Sequence, residues 1–139
     1  MKTHSIKLSN GRNTFLGKMI IADAALYFIC YSKGNAMLEG AGIGLGGHIG
    51  NLLITLSSDK NYGEVPPEVT EADLQSLSLQ LPGSIIFEAN KIEKVQDNWL
   101  LKMIKWDGKK IGVPSGFSKE LRTELIPWLK KHQIEAKGF

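Results

Sequence analysis

At 139 residues, 42% of them hydrophobic and 22% charged, the chain has the composition of one globular domain that can bury an ordinary core without staples. Its single cysteine, Cys30, excludes an intramolecular disulfide and, set in an apolar run, reads as a buried small hydrophobe rather than a reactive thiol. The formal net charge is +3, and Lys102, Lys105, Lys109 and Lys110, followed by Lys130 and Lys131, cluster late in the chain. Such an excess suits an anionic partner and equally suits a solvated face. Residues Met1 to Asn10 lack the apolar core of a signal peptide, which points to a cytoplasmic protein.

In chain order, a first strand is expected from about Ser5 to Leu8, turning at Ser9-Asn10-Gly11. Residues 14 to 32 read as two strands joined by Ala22-Asp23-Ala24-Ala25, and the shortness of that link makes a hairpin the economical connection. Phe15, Met19 and Ile21 share one face at period two, while Leu26-Tyr27-Phe28-Ile29-Cys30-Tyr31 reads as a strand buried on much of both faces.

From Gly40 to Ser58 there is no Asp, Glu, Lys or Arg, and six of the first eleven of these residues are glycine. Gly42, Gly46 and Gly50 are four apart, so a helix would align them as a smooth groove fit for contact with another helix, within the fold or in a second chain. The formal Gly-x-Gly-x-x-Gly at Gly42, Gly44 and Gly47 does not specify a nucleotide site. It has no strand immediately before it and no repeated β–α pattern after it. The stretch approaches the length of a membrane span, but its glycines, His48, Asn51 and Thr55 lower its hydrophobicity. A helix or helical hairpin packed on protein, or lying at a membrane surface, is the better reading.

Residues 59 to 69 form a polar loop, after which Thr70 caps a short helix with Glu71 and Asp73 in its first turn, ending near Gln80. Leu81-Pro82-Gly83 stops it, a strand follows at Ser84 to Glu88, and Ile92 to Val95 continues extended after a kink at Ala89-Asn90. Trp99 to Val113 reads as a hairpin turning at Asp107-Gly108, with Trp99, Leu101 and Met103 on one face of its first strand. Ser118 then caps a helix through about His132, whose stripe Leu121, Leu125, Trp128 and Leu129 faces the core. Trp99 and Trp128 are expected to be buried together, joining hairpin to helix. Pro127 lacks an amide for the Thr123 carbonyl, so a kink is expected there, or a break with Pro127 opening a final turn.

No catalytic constellation emerges. There is no phosphate-binding Gly-Lys-Ser or Gly-Lys-Thr and no nucleophile elbow. His4, His48 and His132 are far apart without ligand spacing, so no metal site and no cofactor are expected. His48 is the one ionisable group in the uncharged stretch.

Gly17 to Phe28, a strand, a small-residue turn with an acid and an aromatic strand, resembles the opening of GRAM domains. Ser84 to Val95, the Asp107-Gly108 hairpin and the capped C-terminal helix resemble the second half of the pleckstrin-homology superfold. The likeness spans a single domain over residues 1–139, with a glycine-rich, helical insertion at about 35–83. It implies an α+β fold: a bent antiparallel sheet or partly open barrel of seven strands, plugged at one end by the C-terminal helix. It also implies a non-catalytic binding module for protein partners or an anionic membrane surface, not for nucleic acid, peripheral to the membrane if the basic residues are used. Lys7 and Arg12 flank the first turn, where lipid-binding members carry their cations, and Lys102, Lys105, Lys109 and Lys110 are the further candidates for anion or lipid contact. A different reading is a self-assembling structural protein, a homo-oligomer held through residues 40–56 with Gly42, Gly46 and Gly50 at the contact.

Overall fold

The computed structural model of the protein describes residues 1–33, 36–37, 65, 67 and 69–139. Strands β1 (Thr3–Asn10), β2 (Asn13–Ile21) and β3 (Ala25–Lys33) form an antiparallel meander, with the short β4 (Ala36–Met37) folded back on the end of β3. Helix α1 (Glu71–Gln80) precedes β5 (Ile85–Glu88), a single 3-10 turn (Ala89–Lys91) and β6 (Ile92–Asp97). The hairpin β7 (Lys102–Trp106) and β8 (Lys109–Gly112), helix α2 (Lys119–Lys131) and β9 (Glu135–Lys137) complete the chain.

The nine strands among the described residues belong to one sheet in the order β4-β3-β2-β1-β8-β7-β6-β9, with β5 also paired to β3. The expected sheet was purely antiparallel, but β9 runs parallel to β6, so the sheet is mixed. The cause is the return of the chain after α2, which delivers the last residues to the open edge of β6 in the same direction as that strand. The sheet's ends do not pair with each other, so it is not closed into a barrel. The protein is α+β, with two helices among the described residues.

Local chemistry explains the turns. At Asp107-Gly108 both residues have positive φ, 49° and 76°, the mirror-image turn whose twist matches two right-twisted strands. Where β1 meets β8, Ser9 opposes Gly112, and a Cβ at Gly112 would overlap the Ser9 hydroxyl. A larger residue at this junction would make the Ser9 hydroxyl rotate away. The Thr70 hydroxyl accepts the Asp73 amide at 3.2 Å while the Asp73 carboxylate accepts the Thr70 amide at 2.9 Å, a reciprocal cap at the start of α1.

The sheet bends round one core and carries a second on part of its outer side. Ile6, Leu8, Phe15, Met19, Leu26, Phe28, Phe87, Val95, Ile104 and Ile111 point inward, where Leu121, Leu125, Trp128 and Leu129 of α2 cover them. The Trp128 indole donates to Ala22 O at 2.7 Å, and His132 Nε2 reaches Asp23 O at the same distance, which fixes α2 against the β2–β3 turn. His4, buried in β1, meets Glu124 of α2 at 2.8 Å. The helix runs unbroken through Pro127, so no new turn opens there. On the outer side Ile20, Tyr27 and Ile29 pack against Val65, Val69, Leu74, Leu77 and Leu81. Strand β3 is thus buried on both faces, as its unbroken apolar run predicts.

Two expectations meet a different fate. Trp128 is buried, but Trp99 is 87% exposed and does not join hairpin to helix. Strand β7 begins at Lys102 because Asn98 caps a turn: its side-chain oxygen accepts the amides of Leu100 and Leu101 at 3.1 and 2.9 Å, and its own amide donates to Leu101 O. These bonds replace ladder bonds and turn Trp99 outward. Gly42, Gly46, Gly50, His48 and the whole expected contact at 40–56 lie outside the described residues. Within the expected insertion at 35–83, α1 is described, and it builds the second core.

Candidate functional site

Strand pairing sorts the candidate cations. On β7, Ile104 faces the core, so its neighbours Met103 and Lys105 face outward. Across the Asp107-Gly108 turn Lys105 opposes Lys110 of β8, and on the other side it opposes Lys94 of β6. Lys94 in turn neighbours Glu135 of β9, with Lys137 one pleat along. One lateral row on the outer face therefore reads Lys110, Lys105, Lys94, with Lys137 beside it. Two carboxylates temper it: Glu93 sits 3.6 Å from Lys105, and Glu135 adjoins Lys94. Desolvation first, and then the bonded and charged Lys137 amine, push the Lys94 amine below its ordinary value. Cross-strand like charges are unfavourable in a sheet, so the row is a place where an external anion would relieve repulsion.

The remaining four candidates stand elsewhere. Lys102 opposes Asp97 on the inward-facing side of β7, with its chain against Gly116. Lys109 leans over the Trp106 ring, 5.7 Å from its centroid. Arg12 is exposed in the first hairpin turn. Lys7 lies on the outer side of β1, since Ile6 and Leu8 point inward. It is two residues from the Ser9–Gly112 contact, toward the end where the chain leaves β8 and enters β7. Of the six cations singled out from sequence, only Lys105 and Lys110 are direct cross-strand neighbours. Lys94 and Lys137 belong with them and were missed. The pairing Lys105–Lys110 follows from a two-residue turn at 107–108, and the alternation that separates Lys102 from Lys105 is equally legible. Lys137 depends on β9, whose three exposed residues carry no strand signal.

A second concave region, of about 720 Å³, lies between α1, β5 and the end of α2. Tyr27, Glu71, Gln75, Glu88, Asn90 and His132 line it. Its polar groups are bonded to one another: the Tyr27 hydroxyl donates to Glu71 at 2.9 Å and accepts from Gln75 at 3.3 Å. Burial above all, with Glu71 and Glu88 adding to it, pushes the Tyr27 phenol above its ordinary 10.0, against the opposing bond from Gln75. The phenol is therefore a hydrogen-bond donor at neutral pH, in a structural role. Among the described residues no group of three His, Cys, Asp or Glu side chains could hold a metal ion. No described helix is long and apolar enough to cross a membrane.

No family model matches the chain, and no curated protein or solved structure does so either. The geometry itself has to carry the functional argument.

Proposed function

We propose that the protein is a non-catalytic binding module of pleckstrin-homology type that docks on an anionic membrane surface. The observation that carries this reading is the lysine row, in which Lys94, Lys105, Lys110 and Lys137 stand together on an outer sheet face that neither described helix covers. Support for the family likeness comes from the order of pairing. One antiparallel set (β1, β2, β3, β5) and a second (β6, β7, β8) enclose a common core, and α2 packs across it. A fold of that kind hosts many functions, so the lysines and not the topology bear the weight.

A lysine close to an anionic leaflet contributes about 1 kcal/mol, and the attraction decays over a screening length of about 8 Å at physiological ionic strength. The test is co-sedimentation with phosphatidylcholine vesicles, with and without phosphatidylserine, across a salt series. Binding should require phosphatidylserine and fall as salt rises. Changing Lys105 and Lys110 together to Glu should weaken it by about thirtyfold or more, the loss of two such contacts. Wild-type protein that ignores anionic vesicles at low salt would end the reading.

A further inference from the structure

The chain between β6 and β7 exposes Trp99, Leu100 and Leu101 in succession, at 87%, 72% and 43% of their full areas. Three neighbouring large apolar side chains held in water need a reason, because a chain of this size has polar residues enough to close a turn. We infer that this tip enters the apolar boundary of the membrane to which the lysine row binds, an inference that rests on the docking reading above.

Four features of the tip favour lipid over a protein groove. First, the tip's side chains are open to solvent and line only a shallow hollow of about 340 Å³ with Ser9, Lys102, Gly112, Val113 and Pro114. So shallow a hollow offers a protein side chain little to dock into, whereas lipid can mould to the exposed side chains. Second, part of the tip's backbone is already paired within the turn. The Leu100 and Leu101 amides are both taken by Asn98 Oδ1, and Leu101 O accepts the Asn98 amide. Each of these groups, if unpaired in hydrocarbon, would cost several kcal/mol. Third, the outermost aromatic residue is tryptophan, whose amphipathic ring favours the headgroup boundary.

The fourth feature is charge. Lys102 follows the tip directly, and Lys7 reaches the same end of the sheet from β1. Leu101, Met103 and Lys105 share the outer parity of β7, which puts the lysine row four residues, or about 13 Å at strand rise, from Leu101. Leu101, Lys7 and the lysine row therefore share the outer side of the sheet, while Lys102 flanks the tip from the inner side. An interfacial element with that arrangement gains from apolar burial and from anionic headgroups at once.

The experiment uses the full chain and vesicles of phosphatidylcholine with phosphatidylserine. Wild type, Trp99→Phe and the double variant Trp99→Ser, Leu100→Ser are compared by co-sedimentation and tryptophan emission, with melting curves to confirm folding. Trp128 is buried and Trp99 is exposed, so insertion should move the wild-type emission to the blue on vesicle addition. Trp99→Phe should still sediment without that shift, and the double variant should lose about tenfold or more of its partitioning. A wild type that sediments with unshifted emission, or a double variant that binds as well as wild type, overturns the tip inference and leaves the docking reading in place. A wild type that does not sediment with these vesicles overturns both.

Discussion

One sheet carries two outer faces of opposite character. Over β2, β3 and β5 the outward side chains are Ile20, Tyr27, Ile29 and Ile86, and α1 with Val65 and Val69 covers them as a second core. Over β8, β7 and β6 the outward positions include Lys110, Lys105 and Lys94, with a buried Met103 beside them, and no described helix is packed on the lysines. Lys18 marks the seam, nearly buried on β2, with its amine held by Ser5 Oγ at 2.7 Å. The inner core is common to both halves, so the difference concerns what is added to a sheet already able to fold. Apolar outer residues call for a cover, and the stretch between β3 and β5 provides part of one. Charged outer residues need none and stay available to something else.

The sharpest way to break that comparison is to remove the cover's anchor. Leu77 of α1 is fully buried in the outer core. Leu77→Ala should cost about 2–5 kcal/mol in denaturant unfolding, the range for a buried leucine that leaves a cavity. An unchanged midpoint would mean that α1 is an ornament on the sheet and not part of its stability.

A smaller effect separates the polar seal of the same core from its apolar packing. Tyr27 packs its ring in the outer core and spends its hydroxyl on Glu71 and Gln75. Tyr27→Phe keeps the ring and strands those partners. Because Glu71 is half exposed and can turn to water, the cost should be about 1 kcal/mol at neutral pH. The pH dependence has a definite sign. The folded-state pKa is raised above the ordinary 10.0, mainly by desolvation, so the neutral phenol's contribution is fully present below pH 10. It is lost as the pH rises from there through the folded-state value, because the unfolded chain ionises first. Melting temperature followed upward from pH 9 over about two units should fall more steeply for wild type than for Tyr27→Phe. Parallel curves would remove burial of the phenol from the account.

How far the sequence discloses this arrangement differs by kind of signal. Local rules work where one residue decides: Thr70 and Asp73 announce α1, Asp107-Gly108 announces the β7–β8 hairpin, and the double-sided burial of β3 is written in Leu26 to Cys30. Alternation misleads at Trp99 to Met103, where an apolar run extends past the true strand start. Asn98 overrides it with three hydrogen bonds in the turn, two accepted by its side-chain oxygen and one donated by its backbone amide, and the Asp97-Asn98 pair was the available warning. Lys105 stands beside Lys94 because Asp97 pairs with Lys102 across the Asn98–Leu101 turn, so a reading that runs the strand back to Trp99 hides that register. Non-local facts were out of reach. The parallel β9 is a consequence of where α2 ends, and its residues, Glu135, Ala136 and Lys137, carry no apolar pattern.

The smallest expected effect lies on the bare half and decides whether its lysines serve stability at all. Lys110 opposes Lys105, and no salt bridge to a carboxylate is found for it among the described residues. Exposed cross-strand like charges are unfavourable by a few tenths of a kcal/mol, and screening by salt reduces that further. Lys110→Ala should therefore leave stability within about 0.5 kcal/mol of wild type, with any change in the stabilising direction and largest at low salt. Vesicle binding should weaken in the same variant by about fivefold, the share of one lysine near an anionic surface. A loss of stability beyond that range would show Lys110 to be part of the fold's own bonding, and the row would then be structural. Stability held while binding falls is the pattern of a residue kept for its partner, on the half of the sheet that neither described helix covers.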